Sequence, residues 1–307
     1  MPIPYMGSKR VSSGKIYRAI NNREKKGTLI DLFCGGFAIS EKFIREGWKV
    51  ISNDKNKYVV ALIEKTINKG LDESIMTQWI SRKKFYDVVE NPEKYDDWYV
   101  GYVQCIWSFG NTQTNYLFGK KSEPIKHAGH NLVIGKDATD IQRLILDIPK
   151  RYIEEISSLD NWHKRRIALA QVSHKLKTRI LRLQQLERLE QLQQLERFQL
   201  HERLQIFNSN YNKVIIPKDA IIYCDPPYKG VGEYFEGQFN HIEFWDWVRK
   251  ISKTNKIYIS EYSAPSDFET ILKFSQKSTL QGGTQSHNNQ PMECLFVLKG
   301  QEKFKNN

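Results

Sequence analysis

The sequence contains no apolar run approaching the roughly 20 residues that span a bilayer, and its amino terminus has no signal-peptide core. We therefore expect a soluble intracellular protein that does not bind membranes. Cysteine is scarce as well: the four cysteines lie far apart and form no C-x-x-C pair, which disfavours a zinc cluster or a disulfide framework. Cys34 and Cys224 each end an apolar run, and we expect both to be buried thiols.

Metal ligands and a complete dinucleotide fingerprint are also missing. His127 and His130 share an H-x-x-H spacing, but no other ligand type clusters with them, so we expect a surface loop and no metal site. The segment LIDLFCGGF lacks the G-x-G-x-x-G pattern, with no third glycine after Gly36 to admit a pyrophosphate. A hydride-transfer enzyme is therefore disfavoured.

Apolar residues and positive charge are present in quantity. The chain has 307 residues, of which 40% are hydrophobic, enough to bury a sizeable core in a catalytic domain and a second module. The formal net charge is +12. This charge favours a polyanionic partner, because phosphates release their counterions when lysine and arginine neutralise them.

Alternating strand and helix patterns occupy both ends of the chain. TLIDLFCGG (28–36) predicts a buried strand and a glycine turn, and KVISND (49–54) predicts a second strand; the helical segments FAISEKFIREG and KYVVALIEKTI follow them. Four more strands are predicted after residue 203: LQIFNS (204–209), AIIYCD (220–225), KIYIS (256–260) and CLFVL (294–298). This alternation predicts an α/β fold with a parallel sheet, whose ligands bind at the carboxyl ends of the strands.

The segment between these ends has a different character. Residues 70–203 are predicted to be mostly helical and to form a module inserted into a discontinuous catalytic domain of residues 1–69 and 204–307. Within residues 183–200, apolar side chains recur at a strict spacing of three: Leu183, Leu186, Leu189, Leu192 and Leu195, then Phe198. Three residues fall short of a 3.6-residue turn, so the apolar stripe drifts by about 60° per repeat. Such a helix is either covered on several sides or broken, and we expect a scaffold role for it.

The most informative motif is DPPY, residues 225–228. An exocyclic amino nitrogen is a poor nucleophile because its lone pair is delocalised into the ring, so a catalyst must hold its N–H groups in hydrogen bonds. Asp225 can accept one bond and the Pro226 carbonyl the other, while the two prolines restrict the backbone that aims these acceptors. Tyr228 offers a ring on which a base can stack. The motif indicates chemistry on the amino group of an extruded base; the alternative is an ordinary strand-ending turn.

The first glycine turn is the candidate cofactor site. Its backbone can approach a small nucleoside-bearing ligand, with Asp31 close to the positive end of that ligand and Asp54 placed to hold ribose hydroxyls. Asp54 has a second interpretation, as the N-cap of the helix KYVVALIEKTI. The residues alone leave both interpretations open.

Four motifs in one order resemble the Dam-like class of adenine-N6 DNA methyltransferases: YMGSK (5–9), DLFCGG (31–36), ND (53–54) and DPPY (225–228). The resemblance covers the two ends of the chain, and residues 70–203 occupy the place of the family's target-recognition insertion. It implies a mostly parallel, Rossmann-like methyltransferase sheet, S-adenosylmethionine as cofactor, double-stranded DNA as partner, and a cytoplasmic setting in a bacterium or phage. The turn Cys34-Gly35-Gly36-Phe37 departs from the more usual G-x-G, which leaves the fine geometry of the cofactor loop open.

The resemblance also implies roles for individual residues. Asp225 and the Pro226 carbonyl would hold the target amino group while Tyr228 stacks on the flipped adenine. The implied cofactor contacts are Tyr5, Lys9, Asp31, Phe33, Gly35 and Asp54, with a looser match for Asn210 and Tyr211 at the adenine of the cofactor. The adenine amino group would take the methyl group directly, without a covalent enzyme intermediate.

Polar side chains in WSFGNTQTNYLFGKK are candidates for DNA contact, because they suit adenine and guanine edges or phosphates. They are Asn111, Gln113, Asn115 and Lys120. A merely solvated loop is the alternative for this segment.

Related activities remain open at this level. An RNA adenine or cytosine-N4 methyltransferase, or a non-catalytic DNA-binding relative, would share the fold. A carbon-5 cytosine methyltransferase is disfavoured, because the sequence contains no Pro-Cys dipeptide to supply its nucleophile.

Overall fold

The computed structural model describes residues 3–144, 148–178, 181–196, 202–228, 239–274 and 292–301. The strands in these ranges are β1 (Thr28–Asp31), β2 (Lys49–Asp54), β3 (Leu204–Asn208), β4 (Ile221–Cys224), β5 (Lys256–Glu261), β6 (Phe268–Phe274) and β7 (Glu293–Leu298). They form one sheet in the order β3-β2-β1-β4-β5-β7-β6. The first five strands are parallel, and β7 runs antiparallel to both of its neighbours. The predicted α/β class with a mostly parallel sheet is confirmed.

Helices cover the sheet and fill the middle of the chain. They are α1 (Ser13–Asn21), α2 (Ala38–Arg45), α3 (Lys57–Asn68), α4 (Glu73–Met76), α5 (Arg82–Glu90), α6 (Asp97–Ile106), α7 (Glu123–Gly135), α8 (Thr139–Leu144), α9 (Lys150–Ser158), α10 (Trp162–Lys175), α11 (Gln184–Glu196) and α12 (His241–Ile251). Short 3-10 turns occupy Pro92–Lys94, Phe109–Asn111 and Tyr211–Lys213. Within the described ranges, no helix is long and apolar enough to cross a membrane.

Both faces of the central strands are buried, which explains why these strands read as continuous apolar runs rather than alternating ones. Leu29 and Ile30 are neighbours on β1 but belong to two different apolar clusters. Leu29 packs in the cluster that includes residues of α1, α2 and α3, whereas Ile30 packs in the cluster that includes Phe244 and Val248 of α12. The central strands are thus held from both sides.

One strand of the sheet is absent from the sequence-based prediction. β6 has only its two terminal residues buried, and the positions between them are half-buried or exposed. It lies at the edge of the sheet, paired with β7 alone. An edge strand needs few apolar residues, so FETILKF carries a weak strand pattern.

The inserted segment is helical where it is described, as predicted, with α4 to α11 and a single antiparallel bridge between Ser108 and Tyr116. Its buried side chains belong to the same apolar cluster as the α1–α3 face of the sheet. The contact is close: a Cβ on Gly101 of α6 would lie 2.1 Å from the Tyr58 carbonyl oxygen of α3. The segment that contains α6 therefore packs directly against α3.

The leucine repeat forms α11 and is covered on several sides. Leu186, Leu189, Leu192 and Leu195 are each at most 1% exposed although they lie on a drifting stripe. Even the polar Gln185, adjacent to the stripe, is buried. Phe198 lies outside the described residues.

The histidine pair lies on a helix and not in the surface loop that its spacing predicts. Both residues belong to α7, where the His127 and His130 rings lie 4.7 Å and 5.4 Å from the ring of Trp79. His130 is buried, and burial lowers its pKa to about 4. Packing against an aromatic ring explains the i, i+3 spacing, which places both side chains on one helix face.

Candidate active site

The candidate site lies at the carboxyl edge of the sheet, where the end of β1 adjoins the end of β4. The strand order reverses at this pair, which opens a crevice. A cavity of about 360 Å³ occupies the crevice, a size within the range of small-molecule sites. The predicted catalytic and cofactor residues all line it: Tyr5, Lys9, Asp31, Phe33, Gly35, Asp54, Asn210, Tyr211, Asp225, Pro226 and Tyr228. The structure thus brings together residues more than 200 positions apart in the sequence.

The glycine turn after β1 is packed against the amino-terminal segment. Gly35 has φ +43°, and a Cβ there would lie 2.9 Å from the Tyr5 ring. A Cβ on Gly36 would lie 2.4 Å from the Ile3 carbonyl oxygen, and Ile3 donates a hydrogen bond to the Gly36 carbonyl. These glycines are required because the segment that carries Tyr5 and Lys9 crosses the turn at close range.

Asp54 ties the end of β2 to this turn. Its two carboxylate oxygens accept hydrogen bonds from the backbone amides of Gly35, at 2.7 Å, and Asn56, at 2.9 Å. Burial raises the pKa of Asp54 despite these bonds. The N-cap of α3 is Asn56, whose side chain accepts from the amides of Tyr58 and Val59, so the N-cap interpretation of Asp54 is wrong.

Asp31 is a buried carboxyl group, and one of its two oxygens accepts no hydrogen bond from the described residues. Its Oδ2 accepts a hydrogen bond from the Ser40 hydroxyl at 2.7 Å. Its Oδ1 is buried and has no hydrogen-bond partner among the described residues. Burial raises the pKa of Asp31 to about 7. An orphaned acceptor at the pocket wall is costly unless a ligand supplies a partner.

One end of the pocket, which we name the aromatic end, consists of Phe33, Tyr211, Phe239 and Phe244. The Phe33 and Tyr211 rings stack with centroids 5.3 Å apart, and Phe239 meets the edge of Phe33 at 5.9 Å. Phe33, Tyr211 and Phe239 line the cavity, while Phe244 packs behind them. An aromatic wall of this kind suits contact with a flat heterocycle.

The other end, which we name the charged end, consists of Lys9, Asp225, Tyr228 and Glu293. The Lys9 ammonium lies 2.7 Å from Asp225 Oδ2 and 2.9 Å from Glu293 Oε1. The Tyr228 hydroxyl lies 2.9 Å from Asp225 Oδ1 and also contacts Glu293 Oε1. Burial alone would lower the pKa of Lys9, but its two carboxylate partners raise it. Lys9 therefore remains charged in this position.

The resemblance assigns Lys9 to the cofactor. In the structure, its ammonium lies on the carboxylate of DPPY. A contact of Lys9 with the cofactor therefore stays a prediction. The described residues contain no cluster of three or more His, Cys, Asp or Glu side chains that could hold a metal ion.

Residues of the pocket that the sequence did not single out include Asn56, Tyr262 and Glu293. Tyr262 meets the Tyr228 ring edge-on at 4.8 Å, and burial raises the pKa of Glu293 to about 7. Tyr262 directly follows β5, so strand-end position was a signal for it. Glu293 begins β7, and only the antiparallel direction of that strand brings it to this edge.

The amino-terminal part of this pocket matches a known family. Residues 5–127 match the family described as D12 class N6 adenine-specific DNA methyltransferase. The resemblance inferred from the motifs is confirmed. Over these residues the chain is similar to adenine-specific DNA methyltransferases. The match contains the YMGSK, glycine-turn and Asp54 motifs and ends before DPPY. No curated protein matches the chain.

The candidate DNA-contact residues divide into two pairs. Asn111 and Gln113 line the pocket, where Gln113 accepts a hydrogen bond from Asn56 at 3.2 Å and is 5% exposed. Asn115 and Lys120 are exposed. The first pair is thus engaged within the protein, and the second faces solvent. DNA contact stays a prediction for all four.

The leucine-rich helix α11 supports the segment that carries Asn111. The Arg188 guanidinium of α11 donates hydrogen bonds to the carbonyls of Ile106, at 2.9 Å, and Ser108, at 2.7 Å, and to Asn111 Oδ1, at 2.9 Å. Burial lowers the pKa of Arg188 to about 10. Arg188 therefore fixes the segment of residues 106–111, which carries the pocket-lining residue Asn111.

Proposed function

We propose that this enzyme transfers a methyl group from S-adenosylmethionine to the N6 amino group of an adenine that is rotated out of duplex DNA at a specific site. The observation that carries the proposal is the meeting of Asp225 with the glycine turn and Asp54 in one pocket of about 360 Å³. A methyl donor and an amino group that are bound side by side in one pocket can react without a covalent enzyme intermediate.

The pocket fits a cofactor that carries a sulfonium cation. Its lining includes five carboxylates and two lysines: Asp31, Asp54, Asp225, Glu243 and Glu293 against Lys9 and Lys55. This excess of negative charge favours a cationic ligand, and Asp31 Oδ1 lacks a partner among the described residues. Asp31, Asp54 and the aromatic end would hold S-adenosylmethionine, which supplies an electrophilic methyl group when bound.

The charged end would hold the target amino group. Asp225 accepts one N–H and the Pro226 carbonyl accepts the other, which favours a pyramidal nitrogen with its lone pair available. The Tyr228 ring is fixed by the hydrogen bond of its hydroxyl to Asp225, so its face is held for stacking. Stacking and these hydrogen bonds offset the few kcal/mol that extrusion of a base costs.

The insertion would bind the duplex. Asn115 and Lys120 are exposed on the segment whose other residues, Asn111 and Gln113, line the pocket. Phe109, in the same segment, is 56% exposed. A polar and basic surface at the mouth of the pocket suits contact with the phosphates and bases beside the extruded nucleotide.

The test is expression in a host without DNA methylation, followed by sequencing of the DNA for N6-methyladenine. We expect methyladenine in one sequence context in cells that express the enzyme and none with Asp225→Asn. Purified enzyme should incorporate labelled methyl into duplex DNA in preference to single strands and RNA. Incorporation into RNA or into the amino group of cytosine would contradict the proposal, as would an absence of cofactor binding in calorimetry.

A further inference from the structure

The Lys9 ammonium occupies the place that the proposed reaction needs for the target base. Its three N–H groups face three oxygens: Asp225 Oδ2 at 2.7 Å, Glu293 Oε1 at 2.9 Å and the Gly7 carbonyl at 3.1 Å. The same nitrogen lies 4.8 Å from the centre of the Tyr228 ring. A hydrogen bond to Asp225 and contact with the Tyr228 ring are also the interactions proposed for adenine. The base and Lys9 therefore compete for one position.

An ammonium that leaves one carboxylate inside a protein needs another. Lys9 is only 4% exposed, and an uncompensated buried charge is strongly unfavourable. Among the described residues, the ion pairs of Lys9 are those with Asp225 and Glu293. Glu293 is the anion in place to keep the ammonium when Asp225 turns to the substrate.

We propose that Glu293 is a positioning residue that holds the Lys9 ammonium away from Asp225 while the adenine amino group is bound. The inference rests on the proposed function, because it concerns the acceptor of that methyl transfer. Glu293 is the first residue of β7 and is 2% exposed, so the sheet fixes its place. Its Oε2 is buried and has no hydrogen-bond partner among the described residues. That oxygen is available to an ammonium that shifts toward it.

The Tyr228 hydroxyl links the two carboxyl groups and defines where a proton resides. It has one proton and contacts both Asp225 and Glu293, so it can donate to only one of these carboxyl groups at a time. Burial raises the pKa of the Glu293 carboxyl to about 7, so near neutral pH it is partly protonated while Lys9 lies closest to Asp225. When Lys9 moves onto Glu293, the carboxylate form is favoured and the proton passes to solvent.

The first experiment measures Glu293→Gln on duplex DNA at saturating S-adenosylmethionine, with cofactor affinity from calorimetry. We expect kcat/KM for DNA to fall about tenfold or more, because Asp225 is then the one carboxylate left to Lys9 among the described residues. Cofactor affinity should stay within about twofold of wild type, since Glu293 lies at the charged end. The rise of wild-type kcat/KM between pH 6 and 8 should be absent in the variant. An unchanged kcat/KM or an unchanged pH profile overturns the inference.

The second experiment adds Lys9→Met to Glu293→Gln. Removing the competing cation should raise kcat/KM for DNA above that of the single Glu293→Gln variant, a non-additive result. A purely structural role of Glu293 predicts a further loss instead. A double variant that is no more active than the single variant overturns the inference.

A matched control is present elsewhere in the fold. Glu24 likewise has a side chain that is only 6% exposed, with Lys256 at 2.7 Å and the Tyr258 hydroxyl as partners, but it does not line the pocket. Glu24→Gln should leave kcat/KM for DNA unchanged, and an equal loss in this variant overturns the inference. The two proposals fail separately. Normal methyl transfer by Asp225→Asn contradicts the proposed function, whereas an inactive Asp225→Asn with a normal Glu293→Gln contradicts this inference alone.

Discussion

The charged end of the pocket holds its side chains through hydrogen bonds and ion pairs, whereas the aromatic end holds its rings through van der Waals packing. In the charged end, one lysine, one tyrosine and two carboxyl groups share protons, so a change in any of them alters the others. In the aromatic end, each ring contributes a small and nearly independent free energy of contact. The first arrangement is sensitive to charge, and the second to shape.

This difference assigns different kinetic roles to the two ends. Groups that interact more strongly with the transition state than with the bound substrate change kcat, and groups that bind both equally change KM. In the proposed reaction, the charged end would face the nitrogen on which charge develops during methyl transfer. The aromatic end would face a part of the cofactor that does not react. We expect substitutions to separate along this line.

The largest effect is expected at Asp225. Asp225→Asn removes the negative charge beside the amino nitrogen, and we expect kcat to fall about 10²–10³-fold. Affinities for DNA and cofactor should change little, because neither depends on this carboxylate alone. Single-turnover methyl transfer and fluorescence binding measure the two quantities. Asp246→Asn, at a position that is 67% exposed, is the control that should retain wild-type kcat.

Glu293 should make the stability of the enzyme depend on pH. Its folded-state pKa is raised from 4.5 to about 7, so the folded chain binds more protons than the unfolded chain between these values. The free energy of unfolding should therefore fall as the pH rises from 4.5 to 7, by roughly 2–3 kcal/mol from this group. Glu293→Gln should lack this decrease in urea unfolding at pH 5 and pH 7.5. A wild type that gains stability over this range relative to the variant would show that Lys9 stabilises the carboxylate more than burial destabilises it.

The segment that carries Lys9 into the charged end should depend on Gly36. Gly36→Ala places a Cβ 2.4 Å from the backbone oxygen of Ile3, and we expect a loss of about 1–3 kcal/mol in the free energy of unfolding. Gly14→Ala is the matched control: nothing lies within 4 Å of its added Cβ, and the site is in α1. The control should be neutral or stabilising by up to about 1 kcal/mol. Equal unfolding free energies for the two variants would mean that the amino-terminal segment is not held against the turn.

Two motifs of the pocket were predictable from sequence because the backbone geometry of each follows from its own few residues. DPPY and the glycine turn each combine a strand end with residues that restrict or free the backbone, so their place at the sheet edge follows from local patterns. Glu293 was not predictable in this way. CLFVL indicates a strand but not its direction, and only an antiparallel β7 brings Glu293 to the ligand edge.

The burial of individual polar residues was also not predictable from the sequence. Gln113 belongs to a segment whose composition is typical of a solvated loop, yet it is buried against Asn56. This segment is held by Arg188, which donates a hydrogen bond to Asn111 although the two residues are 77 positions apart in the sequence. Long-range hydrogen bonds of this kind leave no periodic pattern in the sequence.

The smallest effect is expected at the aromatic end, where Tyr211→Leu removes the ring that stacks on Phe33. We expect the Kd for S-adenosylmethionine to rise about fivefold, equivalent to roughly 1 kcal/mol of ring contact, while kcat at saturating cofactor stays near wild type. Trp247→Leu is the matched control, because Trp247 contacts the Tyr211 ring at 5.1 Å but does not line the pocket. Calorimetry should show a weaker Kd for the first variant only. If instead Tyr211→Leu lowers kcat and leaves Kd unchanged, the two ends do not divide binding from chemistry, and the aromatic end helps to align the methyl group.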